Sequence, residues 1–245
     1  MADSFYQILG ISAQQLSSQM LDLDVVSHNI ANMNTPGFQA SRANFQELLA
    51  NQGLSGVSLG STQILQKQGA INPTGNPLDV AIQGEGFFAV QLPDGRTAYT
   101  RNGALQFSGG QLTTAGGVPL TWDGQLPPGT QAVRIDAGGK ISAQVNGQWS
   151  PAGALSLYRF PNPTALQAYG GSLYLPTDDS GTPNAGQPGQ GGFGRLVPSA
   201  LENANVDLAD QMTQLTLLQR ALQLSARALQ QTDTMMGQAI SLRQG

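Results

Sequence analysis

Glycine and proline are sharply partitioned along this chain. Residues 51–200 hold 27 of its 31 glycines and 13 of its 14 prolines, and the two ends share the rest. Inside a helix a glycine costs about 1 kcal/mol relative to alanine and a proline about 3 kcal/mol. The ends are therefore free to be helical, and the middle is not. The predicted fold class is α+β: long N- and C-terminal helices with heptad patterning that form a coiled-coil-like domain, and a central antiparallel β-rich domain, a sandwich or irregular barrel.

Both ends carry helical periodicity. Leu9, Ala13, Leu16, Met20, Leu23 and Ile30 recur in steps of four and three, with Ser27 the polar interruption; this is the spacing of a helix seam. A helix over about residues 4–32 would be roughly 43 Å long at ~1.5 Å per residue. At the other end Leu208, Leu215, Leu222, Leu229 and Met236 recur every seventh residue. Met212, Ala226 and Ile240 lie between them, and Gln219 and Asp233 interrupt that second row. Leu9, Leu16, Leu23, Ile30 and the five C-terminal residues are the candidate helix-packing positions. Leu217, Leu218, Ala221, Leu224 and Ala228 widen the C-terminal face beyond one seam. A stripe that wide asks for more than one neighbour, so other copies of the chain or the β domain are expected to cover what an intramolecular pair leaves open.

The middle reads as short strands and turns. Phe87–Leu92, Pro93-Asp94-Gly95 and Arg96–Thr100 predict a hairpin, and Asn146-Gly147 between Ile141–Val145 and Gln148-Trp149 predicts another. Residues 178–194 predict an extended Gly/Pro loop.

Composition removes most chemistries. The chain has no cysteine and a single histidine, His28, which excludes disulfides, thiolate zinc sites, cysteine nucleophiles and multi-histidine metal sites. A net charge of −4 with no basic cluster argues against nucleic acid. No window approaches the ~20 apolar residues of a membrane span, so membrane insertion is not expected. Met1-Ala2-Asp3-Ser4 is acidic where a secretory signal starts basic. Gly189-x-Gly191-x-x-Gly194 matches a dinucleotide fingerprint only formally, because a Pro/Gly/Gln loop precedes it and Pro198 follows. Asp178-Asp179 reads as a solvated loop and His28 as a packing or capping residue. No catalytic residue, cofactor or metal ligand is expected.

One motif exceeds an ordinary helix stop. In the run from His28 to Phe38, Asn29, Asn32 and Asn34 precede Thr35-Pro36-Gly37-Phe38. Pro36 pushes Thr35 into extended backbone, Pro-Gly suits the two central positions of a type II turn, and Phe38 can anchor the exit. This motif resembles the N-terminal signature of the flagellar rod and hook family of axial proteins. Two further blocks agree: Leu78–Phe88 running on to Tyr99-Thr100-Arg101-Asn102-Gly103, and Leu201-Glu202-Asn203-Ala204-Asn205-Val206-Asp207 followed by Gln219-Arg220-Ala221. The match is best to the distal-rod type, with the proximal-rod type second, although Leu49–Leu65 is shorter than the distal-rod linker.

The resemblance implies a structural, non-enzymatic protein of the flagellar basal body, crossing the periplasm as part of an axial rod. It implies export through the flagellar apparatus without a cleaved signal and assembly with copies of itself and with other rod and hook proteins. Asn29, Asn32, Asn34, Thr35, Pro36, Gly37, Phe38, Asn205, Val206, Gln219 and Arg220 are the signature positions it marks for assembly. The expected division is 1–50 and 199–245 as two parts of an axial domain, a linker at 51–76, and the β-rich middle at 77–198. Two rival readings are a surface-displayed binding module on a helical stalk, using Trp122, Trp149 and Tyr158, and a hydrolase using Asp94, Asp136 or Asp178.

Overall fold

The computed structural model describes residues 2–48 and 56–244; within them the side chains of 2–9, 11–12, 45–48, 56–61, 233 and 236–244 lie outside the description. The packing expected of Leu9 and Met236, and part of the expected linker, therefore lie outside the described residues. The chain forms two compact units, one from Met1–Ala31, Ser41–Gln63 and Asp207–Gly245, the other from Asn32–Ala40 and Ile64–Val206.

The first unit contains helix α1 (Ala2–Ala31), a two-stranded ribbon of Ser41–Leu48 and Gly56–Ile64, and helix α2 (Leu208–Gln244). Asp207 starts α2: its Oδ1 accepts the N–H groups of Ala209 at 2.9 Å and Asp210 at 3.3 Å, which satisfies donors that have no partner within the helix. The helices run antiparallel. Asn29, near the end of α1, donates to Gln211 Oε1 at 3.1 Å, and Ser225 Oγ donates to Gln19 Oε1 at 3.3 Å.

The expected coiled-coil-like axial domain is not what these helices build. They are the two α-helices among the described residues, α1 with 30 residues being shorter than α2 with 37, and no described side chain of α2 is buried. The half-buried row of α2 runs through Gln211, Leu215, Leu218, Leu222, Ser225, Leu229 and Thr232. It keeps three of the expected leucines but replaces the second row. Leu208 and Met212 are 41% and 52% exposed, and Gln219 and Ala226 are exposed as well.

Among the described side chains of α1 the buried ones are Ser18, Val26 and Asn29, while Met20 of the expected seam is 56% exposed. The cause is polar anchoring. The Asn29 amide also donates to the Ser41 carbonyl at 2.8 Å and accepts the Ser41 N–H at 2.9 Å. Leaving those groups unpaired costs about 1–3 kcal/mol, so Asn29 sets the rotation of α1 and turns part of the apolar row outward.

The second unit also departs from the expected architecture. In place of a sandwich or barrel, its described strands form six small sheets, and every strand pair in them is antiparallel. The largest has five strands, in the order Gln167–Gly170, Leu173–Leu175, Thr97–Thr100, Phe88–Gln91, Leu120–Thr121. Both hairpins form with the turns that the sequence predicts, Val90 opposite Ala98 in one and Gln144 opposite Trp149 in the other. The loop at 178–194 carries one short strand, Asn184–Gly186, paired with Leu157–Arg159. Gly189-x-Gly191-x-x-Gly194 opens no helix; strand Arg195–Pro198 follows it.

Two apolar clusters fill this unit, and strand Phe88–Gln91 with the extended residue before it serves both. Phe88 and Val90 belong to the larger cluster with Ile82, Leu112, Ile141, Leu157 and Leu196. Phe87 and Ala89 belong to the smaller one with Tyr99, Phe160, Leu166 and Tyr174. Successive strand residues face opposite sides, so a run of four apolar residues is what a strand buried on both faces requires. Strand Arg195–Pro198 then lies beside Val80–Gln83, and Ala200–Glu202 beside Ile71–Pro73. The chain's late residues are thereby brought back onto its early ones.

Candidate functional site

That return places Glu202 against Arg101. Both are almost completely buried, with side chains 0% and 6% exposed, and Arg101 Nη2 lies 2.8 Å from Glu202 Oε2 while Nε donates to the same oxygen at 2.9 Å. The remaining guanidinium protons go to backbone carbonyls: Nη1 donates to Gly86 at 3.0 Å and Nη2 to Gly84 at 3.1 Å and Ile82 at 3.3 Å. The second carboxylate oxygen of Glu202 accepts the Gly69 N–H at 3.0 Å. Each charge is thus both paired and hydrogen-bonded, the condition under which burial of an ion pair is tolerated.

The Pro-Gly turn docks on this pair. The Phe38 N–H donates to the Thr35 carbonyl at 3.2 Å, and Gly37, at φ +66°, donates to the Glu202 carbonyl at 2.7 Å. A Cβ at Gly37 would collide with the backbone of Arg101 and Asn102. Position 37 therefore needs glycine twice over, for its backbone angle and for the close approach. Phe38 is buried, 4% exposed.

Asn205 closes the arrangement from the other side. Its Oδ1 accepts the Ala40 N–H at 2.6 Å, and its Nδ2 lies within donating distance of the Lys67 carbonyl at 2.7 Å, the Leu65 carbonyl at 2.8 Å and Gln39 Oε1 at 3.0 Å. The Tyr174 hydroxyl accepts the Gln39 N–H at 3.1 Å. Burial pushes the Tyr174 phenol up to about 12, against smaller lowering effects from the Gln39 N–H and Arg101.

Of the expected signature residues, Thr35, Pro36, Gly37, Phe38 and Asn205 converge here, with Val206 half-buried just beyond. Asn32 supports the turn through its carbonyl, which accepts the Thr35 N–H at 2.9 Å. Asn29 acts in the other unit, on Ser41 and Gln211. Gln219 and Arg220 lie exposed on α2, and nothing in the structure explains Asn34. The seam residues Leu16, Leu23, Ile30, Leu215, Leu222 and Leu229 are half-buried. Arg101, Glu202, Gln39, Gly69 and Tyr174 were missed by the sequence reading. A signal was present for two of them: in a chain with 11% charged residues, Arg101 and Glu202 each sit inside a segment that resembles a family signature.

The aromatic residues of the rival binding reading do not gather on one exposed face, and Asp94 of the hydrolase reading is paired with Arg96 at 2.7 Å. Trp122 packs on the larger cluster and Tyr158 on the smaller. Trp149 is 41% exposed, with Arg134 lying 4.5 Å from its ring centroid. Asp178 and Asp179 lie exposed in their loop. No group of three or more His, Asp or Glu side chains that could hold a metal, and no helix long and apolar enough to cross a membrane, occurs among the described residues.

The Arg101–Glu202 pair with the Gly37 turn and Asn205 forms a clasp, a structural element, and the same segments carry the family likeness. Residues 10–39 match the model described as flagella basal body rod protein, 81–143 the flagellar hook protein FlgE/F/G D1 domain, and 197–242 the flagellar basal body rod FlgEFG protein C-terminal. Gly37, Arg101, and Glu202 with Asn205 fall one set in each. The flagellar basal-body rod protein FlgG of Buchnera aphidicola subsp. Schizaphis graminum is 36% identical over 93% of this chain and 96% of its own length. That of Caulobacter vibrioides is 34% identical over 97% and 99%, and the rod protein FlgF of Mesorhizobium japonicum is 32% identical over 98% and 97%. The chain belongs to the flagellar basal-body rod protein family, in its FlgG group. It is a structural rod subunit, located in the flagellar basal body.

Removing one partner of the clasp leaves a buried charge uncompensated. Glu202→Gln is expected to lower the unfolding free energy by about 3–5 kcal/mol, read by denaturant unfolding followed through Trp122 and Trp149 fluorescence; a loss under about 1 kcal/mol would contradict the assignment. Tyr174 adds an alkaline limit. Its folded pKa of about 12 lies above the ordinary phenol value of 10.0, so its contribution is complete below about pH 10 and is lost as pH rises toward 12. Tyr174→Phe should make stability fall less steeply across that window in pH-dependent melts.

Proposed function

We propose that copies of this chain polymerise helically, α1 and α2 packing against those of neighbouring copies around a central channel, to form the distal part of the rod that carries torque from motor to hook. The chain acts as a mechanical element and performs no catalysis. Its partners are further copies, adjoining rod and hook proteins, and the export apparatus that delivers it. The observation that supports this reading is the surface of α2. Leu208, Met212, Leu217, Leu224 and Met235 are 41%, 52%, 59%, 65% and 63% exposed on a helix whose partner within the chain takes one face.

Fully burying a side chain of that size is worth about 1.5–3 kcal/mol, and a head-to-tail contact that does not close on itself yields a helical filament. The near full-length similarity to FlgG proteins favours the distal position. The FlgF likeness over 98% of the chain keeps the proximal rod as the second reading.

The test is a chain ending at Val206, which removes α2 and retains Asn205 and the clasp. It should leave the second unit folded by near-ultraviolet circular dichroism, while basal bodies carrying it lack a complete rod and cells do not swim. Rods of normal length built from the truncated chain would refute the reading.

A further inference from the structure

Helix α2 presents two opposite contact rows, and α1 presents an outward row that complements the free one. The row facing α1 includes Leu215, Leu218 and Leu222. Two residues on, about 200° round the helix at ~100° per residue, Leu217, Arg220, Leu224 and Arg227 repeat the same three–four spacing and are all exposed. On α1 the exposed residues Ser17, Met20, Asp24 and Ser27 have that spacing too. Helix α1 carries Asp3, Asp22 and Asp24 and no lysine or arginine, whereas the outward row of α2 is basic. None of the three ion pairs among the described residues involves Asp24, Arg220 or Arg227, and these side chains make no hydrogen bond there.

We propose that the outward row of α1 in one copy docks on the outward row of α2 in the next, with Asp24 paired to Arg220 and Met20 seated on Leu224. This rests on the polymer reading above and gives it a register. The helices are antiparallel within a chain, so in a filament whose copies all point the same way, α1 of one copy runs antiparallel to α2 of its neighbour. Met20 to Asp24 is a step of four, and so is Leu224 back to Arg220. A slipped alignment sets Asp24 against Leu224 and desolvates an unpaired carboxylate. The apolar contacts supply affinity, and the charges select partner and register.

The absence of native cysteine makes a clean test possible. Full-length Met20→Cys and Leu224→Cys chains, assembled together and oxidised, should give a disulfide-linked heterodimer at roughly ten times the yield of Met20→Cys with Gln230→Cys, a control on another exposed face. Asp24→Arg and Arg220→Asp should each reduce incorporation roughly five- to tenfold, and the doubly substituted chain should recover it, with helicity unchanged throughout. Equal heterodimer yields, or a double variant no better than the singles, while the unchanged chain still builds rods, would overturn this register and leave the polymer reading standing. An unchanged chain that builds no rod and gives no cross-link at any position would overturn both.

Discussion

A guanidinium and a carboxylate taken out of water must find every partner they need inside the protein, and in this chain that demand organises the second unit. Arg101 and Glu202 lie 101 residues apart, and satisfying them recruits the carbonyls of Ile82, Gly84 and Gly86 and the N–H of Gly69. The same carboxylate residue then receives Gly37 through its backbone. The six small sheets pack on two apolar clusters, a non-directional attraction. A desolvated ion pair with directional partners adds selectivity to that packing, because any other arrangement leaves a charge buried alone. Asn205 repeats the principle with a neutral group, tying Ala40, Leu65 and Lys67 through one amide.

The sequence makes visible what depends on local chemistry. Pro36-Gly37 reads as a turn because the backbone angles that it needs belong to those two residues, and the hairpins at Pro93-Asp94-Gly95 and Asn146-Gly147 are legible for the same reason. Helix existence follows from the scarcity of glycine and the absence of proline in both segments. Rotation of the helices does not. An apolar row at Leu9, Ala13, Leu16 and Met20 says that a face exists, but Asn29, bonded to Ser41 and Gln211, decides which way it points. The Arg101–Glu202 pair was hidden for a related reason: pairing over such a separation leaves no periodicity to detect, and a charged residue beside a turn reads as solvated until the strand after it is placed. Gly69 and Gly103 belong to the same class, since a Cβ at either would strike the backbone of Asn203 or Val80, partners no local window contains.

Polar and apolar groups divide the labour differently in the two units. In the second, the polar network is internal and nearly complete. In the first, α1 and α2 meet along one face of each, fixed by amide and hydroxyl contacts, and large apolar side chains remain outside. On the proposed reading that is a workable compromise: the glutamine- and serine-rich surface of α1 is hydrated, while the exposed leucines of α2 are left for neighbouring copies to cover.

On the proposed reading, other copies of the chain cover the outward face of α2. Electron cryomicroscopy of isolated basal bodies, with the chain traced through Trp122 and Trp149, tests it directly. Leu217 and Leu224 should be enclosed by helices of adjoining subunits. A rod in which those two side chains face solvent or an open channel would contradict it.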